Sequence, residues 1–273
     1  MGTLYIVATP IGNLEDVTIR ALRILDEVEL IAAEDTRRTK KLLTHYRINT
    51  KVTSYFEHNK LAKIEKILSI LMLGDVALVS DSGMPTISDP GYRLVQSAIE
   101  LGCNIMPVPG ASAVLAAISV AGLPTDSFVY LGFLPRRSSE RKNLLRDNST
   151  DLRTLICFES PHRLLDCLED IHLELGNRKI VVARELTKLH EEIYRGDVKS
   201  AITYFLSGTI RGEFTIVISG SSISKLAKWS VNQVLAHLDN MIDSGKTLSE
   251  ASRDTAQISG WTRQDVYSLK INN

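Results

Sequence analysis

Apolar positions follow two rhythms along this chain. Up to about residue 121, short β-type runs alternate with stretches whose apolar residues recur every three or four positions, the arrangement that builds a mostly parallel sheet flanked by helices. The spacing predicts strands over 4–9, 29–33, 51–56, 76–80 and 104–108. Helices are predicted over Thr18–Asp26, Thr39–His45, Leu61–Leu73, Tyr92–Leu101 and Ser112–Ala121, the last rich in Ala and Val and expected to pack against the sheet. Gly122-Leu123-Pro124 breaks the rhythm, and a second alternating unit starts at Phe128. Its predicted strands are 128–133, 153–158, 179–184 and 213–219, with helices around 139–147, 162–175 and 197–206. A short extra strand near Ile193–Gly196 would make this second sheet mixed.

Beyond Ser219-Gly220-Ser221-Ser222 the pattern is entirely helical. Val231, Val234, Leu235, Leu238 and Met241 form a stripe, Thr247-Leu248-Ser249-Glu250 fits a capping box, and Thr262 with Asp265 starts another helix after the Gly260 stop. The expected organisation is an N-terminal α/β domain over 1–121, a second α/β domain over 122–220 and a helical extension over 221–273, read either as a helix-turn-helix module or as a packing appendage.

Composition narrows the class. The 273 residues are 44% hydrophobic and 23% charged, the balance of a soluble globular protein. Because 32 basic and 32 acidic residues cancel, nucleic-acid binding must come from local patches, of which Arg37-Arg38-Thr39-Lys40-Lys41 and Arg136-Arg137 with Arg141-Lys142 are candidates. Taken singly, each also fits a solvated helix face. Cys103, Cys157 and Cys167 show no CxxC pairing, as expected of buried thiols in a reducing compartment. With no secretory leader and no apolar run near the ~18 residues that span a bilayer, a cytoplasmic location is expected.

Candidate chemistry sits in three turns after apolar strands: Pro10-Ile11-Gly12-Asn13, Asp81-Ser82-Gly83-Met84-Pro85 and Val108-Pro109-Gly110-Ala111. Each exposes backbone groups at the carboxyl end of a parallel strand, where open α/β sheets hold ligands. Several chemistries are absent. No GxGxxG follows a strand; Ser244-Gly245-Lys246-Thr247 has Asn240 where a Walker A loop needs glycine; Tyr194 replaces the second His of a zinc-protease helix at His190-Glu191; and no GxSxG elbow occurs. No metal site is expected.

These turns, with Ser80 to Gly91 in full and Pro107-Val108-Pro109-Gly110, resemble the tetrapyrrole methylase superfamily of S-adenosylmethionine enzymes. Ala33-Glu34-Asp35-Thr36-Arg37, Phe133-Leu134-Pro135, Phe158-Glu159-Ser160-Pro161-His162-Arg163 and Ala183-Arg184-Glu185-Leu186-Thr187-Lys188 are similar to its ribosomal RNA small subunit methyltransferase I branch, which methylates a cytidine ribose 2′-hydroxyl in small-subunit (16S) ribosomal RNA. Met84 departs from that branch, where a small residue or Thr is commoner. The resemblance spans nearly the whole chain. It implies two α/β domains of the tetrapyrrole methylase type, a cleft for S-adenosylmethionine between them and a homodimer.

The resemblance places Pro10, Asp81, Ser82, Gly83, Thr86, Ser112 and Ala113 against the cofactor from the first domain, and Phe158, Glu159 and Leu186 from the second. Phe158 and Leu186 also fit simple core positions. Proton acceptors at predicted sheet ends are Glu34, Asp35, His58, Glu159 and Glu185. Arg37, Arg163 and Arg184 suit phosphate or a partner carboxylate, and the Glu34 to Arg37 string fits an internal salt bridge equally well. His58 and Asn59 offer donors to a ribose or base, or cap the next helix. Together with Arg37, Asn59 and Arg163, the basic residues Arg136, Arg137 and Arg141 are the expected RNA contacts, and the helical tail offers further surface. Methylation of a corrin-type tetrapyrrole and non-catalytic RNA binding are the alternatives.

Overall fold

The runs Leu30-Ile31-Ala32-Ala33 and Val76-Ala77-Leu78-Val79 are buried at every position, which is what a strand covered on both faces requires. The computed structural model describes residues 1–55, 60–221 and 229–271. In it β1 (Thr3–Val7), β2 (Leu30–Ala33), β3 (Val52–Ser54), β4 (Val76–Val79) and β5 (Asn104–Val108) form a parallel sheet in the order β3-β2-β4-β1-β5.

Strand alternation decides what covers each face. Val7, Ile31, Ala77 and Val79 point to one side and pack on α1 (Ile19–Glu27) and α2 (Thr36–His45). Leu4, Ile6, Ala32 and Leu78 point to the other, where α3 (Lys60–Leu71) and α4 (Tyr92–Glu100) contribute Ile64, Ile67, Leu71, Leu94 and Ala98. α2 begins three residues before its predicted start because Asp35 caps it, accepting from Arg37 N at 2.8 Å. That earlier start puts Arg37 and Arg38 on the first helical turn.

The helix α5 (Ala113–Ala121) follows β5 in sequence but does not cover the first sheet. Its Val114, Ala117, Ile118 and Ala121 pack instead on Ile156, Val181, Ala183 and Val217 of a second sheet. That sheet is built from β6 (Phe128–Phe133), β7 (Thr154–Glu159), β8 (Lys179–Arg184), β9 (Glu192–Asp197) and β10 (Phe214–Ile218), in the order β6-β7-β10-β8-β9. The expected extra strand is present as β9, but the sheet is mixed without it: only β6 and β7 run parallel, and β10 is antiparallel to both β7 and β8. The helices α6 (Ser138–Asp147), α7 (Leu164–Leu175) and α8 (Val198–Leu206) close its other face around Leu145, Leu168, Ile171 and Phe205.

The chain falls into two compact units, Met1–Gly220 with both sheets and Ser221–Asn273. In the second unit α9 (Val231–Asp243), α10 (Leu248–Ser259) and α11 (Arg263–Ile271) enclose Val234, Leu238, Ala251 and Val266. Capping boxes at Ser230/Gln233 and Thr247/Glu250 start its first two helices, and Gly260, at φ 71°, ends α10 in the left-handed region. Among the described residues no helix is long and apolar enough to cross a membrane.

One expected RNA contact is corrected by this packing. Arg141 is 3% exposed, on the inner side of α6, where Nη2 lies 2.5 Å and Nε 2.7 Å from Asp170 Oδ2 of α7. Ser138 Oγ and Lys142 Nζ satisfy the same carboxylate. Its guanidinium is a brace between helices and offers no surface to a phosphate. Removing one member of a buried, hydrogen-bonded pair strands the other charge, so Arg141→Ala is expected to cost about 3–5 kcal/mol in chemical denaturation. An exposed phosphate ligand would leave stability unchanged.

Candidate active site

All strands of the first sheet present their carboxyl ends on one edge. There β1 continues into Ala8-Thr9-Pro10 and β4 into Ser80-Asp81-Ser82. Thr9 N donates to Gly83 O and Gly83 N to Thr9 O, both at 2.9 Å, so the two turns join into one floor. Gly83 holds φ 75°, where L side chains are strained, and a Cβ there would stand 3.4 Å from Ile11 Cγ2. Farther along the same loop, Thr86 at φ 74° and Ser88 at φ 61° occupy the left-handed region without being glycine. Such strain costs about 1–3 kcal/mol per residue and concentrates in ligand-holding loops.

Above this floor lies a cavity of about 250 Å³ shared by both sheets. The first sheet contributes Ile11, Ser82, Gly83, Met84, Ser88 and Asp89, and the start of α5 adds Ser112 and Ala113. From the second come Phe133, Phe158, Glu159, Leu186 and Thr215. The two sides are stitched at three places. Ser88 Oγ and Tyr130 OH are 2.7 Å apart, Asn13 N donates to Thr187 Oγ1 at 3.2 Å, and Arg195 Nη2 donates to Val120 O at 2.6 Å. Phe158 stands edge-on between Tyr130 and Phe133, at 5.3 and 5.4 Å between centroids.

Of the residues expected around a cofactor, Ser82, Gly83, Ser112, Ala113, Phe158 and Leu186 line this cavity. Pro10, Asp81 and Thr86 stand beside it. Pro10 precedes Ile11, which does face the cavity. Asp81 is turned toward the end of β2, accepting from Asp35 N at 2.9 Å and pairing with Arg38 at 3.4 Å. Ile11, Asp89, Phe133 and Thr215 were not singled out by sequence, though Asp89 lies inside the motif that runs to Gly91.

The carboxylates divide by environment. Burial, then the Glu34 carboxylate, pushes Asp89 up to about 6, against an opposing hydrogen bond from Ser80. Glu34 is likewise raised, chiefly by burial, with the Asp81 amide (3.3 Å) pulling the other way. Asp35 goes in the opposite direction, held at about 2 by the Arg37 side chain and amide. Its bidentate pair with Arg37, 3.1 and 2.7 Å, is therefore the internal salt bridge left open by sequence, although Arg37 itself remains 87% exposed. Glu159 lines the cavity, but Oε2 accepts from Arg163 Nη2 at 2.8 Å and Oε1 from Ser160 N at 2.7 Å. Arg163 also donates to Leu134 O at 2.7 Å. Glu159 and Arg163 thus tie the end of β7 to the turn after β6, which occupies the groups expected to take a proton or a phosphate. Glu185 is similarly engaged by Lys188 Nζ and Glu213 N, both at 2.9 Å. Arg136 and Arg137 are exposed just past Phe133. His58 and Asn59 lie outside the described residues. Among the described residues, no group of three or more His, Cys, Asp or Glu is placed to hold a metal ion.

Residues 3–202 match the family model of tetrapyrrole (corrin/porphyrin) methylases. The chain belongs to that family. Over 272 residues, 98% of this chain and 94% of the relative, it is 47% identical to the ribosomal RNA small subunit methyltransferase I of Halalkalibacterium halodurans. It is also 50% identical to the protein of the same name from Thermotoga maritima over 221 residues, 81% of this chain but 99% of that relative. Among solved structures, the uroporphyrin-III C-methyltransferase of Thermus thermophilus complexed with S-adenosyl homocysteine superposes with a TM-score of 0.56 at 17% identity, covering 79% of this chain and 97% of that one. The two-sheet α/β architecture is therefore that of the tetrapyrrole methylases.

The join between the two sides of the cavity rests on Gly12. A Cβ at this position would stand 2.8 Å from Leu186 O and 2.9 Å from Thr187 Oγ1, and would also strike the Lys188 side chain. Backbone oxygen does not move aside, so Gly12→Ala is expected to push the 10–13 and 185–188 turns apart and cost about 1–3 kcal/mol in thermal unfolding. An unchanged melting point would show that the turns are not tightly packed.

Proposed function

We propose that this protein uses S-adenosylmethionine to methylate the ribose 2′-hydroxyl of a cytidine in small-subunit ribosomal RNA. The observation that carries the reading is the cavity spanning both sheets in a chain whose curated relatives, at up to 50% identity, are named ribosomal RNA small subunit methyltransferase I. Its lining suits an adenosyl amino acid. Phe158, Leu186 and Ile11 are apolar enough for a base, Ser82 and Ser112 offer hydroxyls, and Gly83, at φ 75°, leaves the backbone bare. When bound, S-adenosylmethionine supplies an electrophilic methyl carbon on a sulfonium.

Within this reading the chain's own groups orient the ribose and take one proton. The strained 86–88 segment and the Thr9–Gly83 pairing hold the floor in a fixed geometry, so positioning supplies much of the rate. Asp89 is the proton acceptor: it faces the cavity, and among the described residues its carboxylate is not committed to an arginine or lysine, unlike those of Asp35, Glu159 and Glu185. The ribose oxygen would take the methyl carbon from the sulfonium, which leaves as a neutral thioether with the electron pair of the broken C–S bond on sulfur, while Asp89 would take the hydroxyl proton. Burial, with Glu34 and then Asp81 adding to it, raises Asp89 toward the basicity this needs. Arg37, Arg136 and Arg137 contact RNA phosphates, and the protein acts as a homodimer in the cytoplasm.

The tail adds little charge to this task. Residues 221–273 carry six Lys or Arg and five Asp or Glu, and Lys246 and Lys270 are paired to Asp254 and Asp239.

Incubation with labelled S-adenosylmethionine and small-subunit RNA from cells lacking the gene should place one methyl on one cytidine ribose, read by mass mapping; label in no RNA would overturn the proposal. Because Asp89 must be ionised to accept a proton, kcat/KM should fall about tenfold per pH unit below about 6, while Asp89→Asn keeps a low, flat profile. The sign for stability is opposite. A carboxyl whose folded pKa is raised favours the fold most when protonated, and that contribution is lost as pH rises through about 6. Asp89→Asn should therefore melt above wild type at pH 8, with the gap narrowing as pH falls below 6 and closing only below the unfolded carboxyl's 3.8.

A further inference from the structure

A second concavity lies at the opposite border of the first sheet from β5. It is a groove of about 690 Å³ between α2, the β3 edge strand and α3, floored by Leu30, Leu43 and Ile48. Lys40 of α2, Lys51 just before β3 and Lys66 of α3 stand around it, all exposed, and among the described residues no carboxylate lines it. Among the described residues none of the three is in an ion pair. Some other exposed cations of the same unit are paired, as in Arg23–Glu27, Arg146–Glu174 and Arg153–Asp151. Three ammonium groups gathered on one concave surface whose described lining holds no carboxylate, in a chain with no net charge, repel each other until an anion joins them.

One element, α2, runs from the strand ends beside the cavity to the groove. α2 carries Arg37 and Arg38 on its first turn, beside Asp35 and Asp81 at the strand ends, and Lys40 and Thr44 on the side that lines the groove. Ten residues of helix span ~15 Å, so the two sites lie within reach of a few linked nucleotides. Lysine suits a polyanion without fixed geometry, because an ammonium acts as a compact point charge on a flexible stem. β3 is also the outer strand of its sheet, with one side of its backbone unpaired by any other strand.

We propose that the Lys40/Lys51/Lys66 groove binds the phosphate backbone of the substrate RNA beside the nucleotide being methylated, a contact that rests on the RNA-directed function proposed above. The full-length Lys40→Ala/Lys51→Ala/Lys66→Ala protein should bind a small-subunit RNA transcript at least tenfold more weakly at low salt. The gap should close as salt rises, and the slope of log K against log salt should become shallower by about 2 for three lost contacts to single-stranded RNA. S-adenosylmethionine affinity and melting temperature should not change, and the matching triple Lys→Arg variant should keep wild-type binding. Equal RNA affinity and equal salt slope for the Ala variant and wild type would overturn the groove while leaving RNA methylation standing. If wild type itself neither binds nor methylates the transcript, the RNA-directed reading fails first. Loss of affinity with an unchanged salt slope, or in the Arg variant as well, would also overturn it, since neither reports a charge contact.

Discussion

Two backbone hydrogen bonds between Thr9 and Gly83 hold the candidate site together. They join the ends of β1 and β4, adjacent strands of one parallel sheet, beyond the last residues that pair as strands. Without them the segments after Val7 and Val79 would be separate loops, each having to order itself alone. With them, Ile11 on one turn and Ser82 to Asp89 on the other become a single surface. Glycine at 83 is what allows this, because its positive φ turns both its N–H and its C=O toward Thr9.

The electrostatics follow from where that surface sits. Glu34, Asp81 and Asp89 converge near the carboxyl ends of β2 and β4, and neighbouring carboxylates add to the burial that raises Glu34 and Asp89. Cations are placed unevenly around them. Arg37 takes Asp35 and Arg38 reaches Asp81, while the half-buried Asp89 is pushed up first by burial and then by Glu34. On the second sheet the same problem is settled differently, with Glu159 neutralised by Arg163 at the end of β7. The cavity therefore has one wall with a carboxyl that burial pushes up to about 6 and another whose carboxylate is held by an arginine.

Much of this architecture was legible in sequence because it is written in local signals. The apolar runs, the Gly and Pro breaks after them and the capping boxes of the tail each need only a few neighbouring residues to be read. What escaped depends on distant partners. Arg136 and Arg141 belong to one basic cluster, yet the first lies exposed ahead of α6 while the phase of that helix turns the second onto Asp170 of α7. Asp89 carries no local mark either; its character arises from burial beside Glu34, from another strand end. The resemblance, resting on long strings, located the cavity's residues more closely than periodicity did, but it did not separate Asp81 and Thr86, beside the cavity, from Ser82 and Gly83 within it.

The destination of α5 has a mechanical consequence. Its four inward side chains leave the first sheet's last strand only to lodge in the second sheet, so the segment works as a strap between the layers. Parting α5 from the second sheet would uncover Val114, Ala117, Ile118 and Ala121 together, at roughly 25 cal/mol for every Å² of apolar surface wetted. The helix is thereby moored to the second layer, and any relative movement of the two layers has to be taken up in residues 109–112, between β5 and α5.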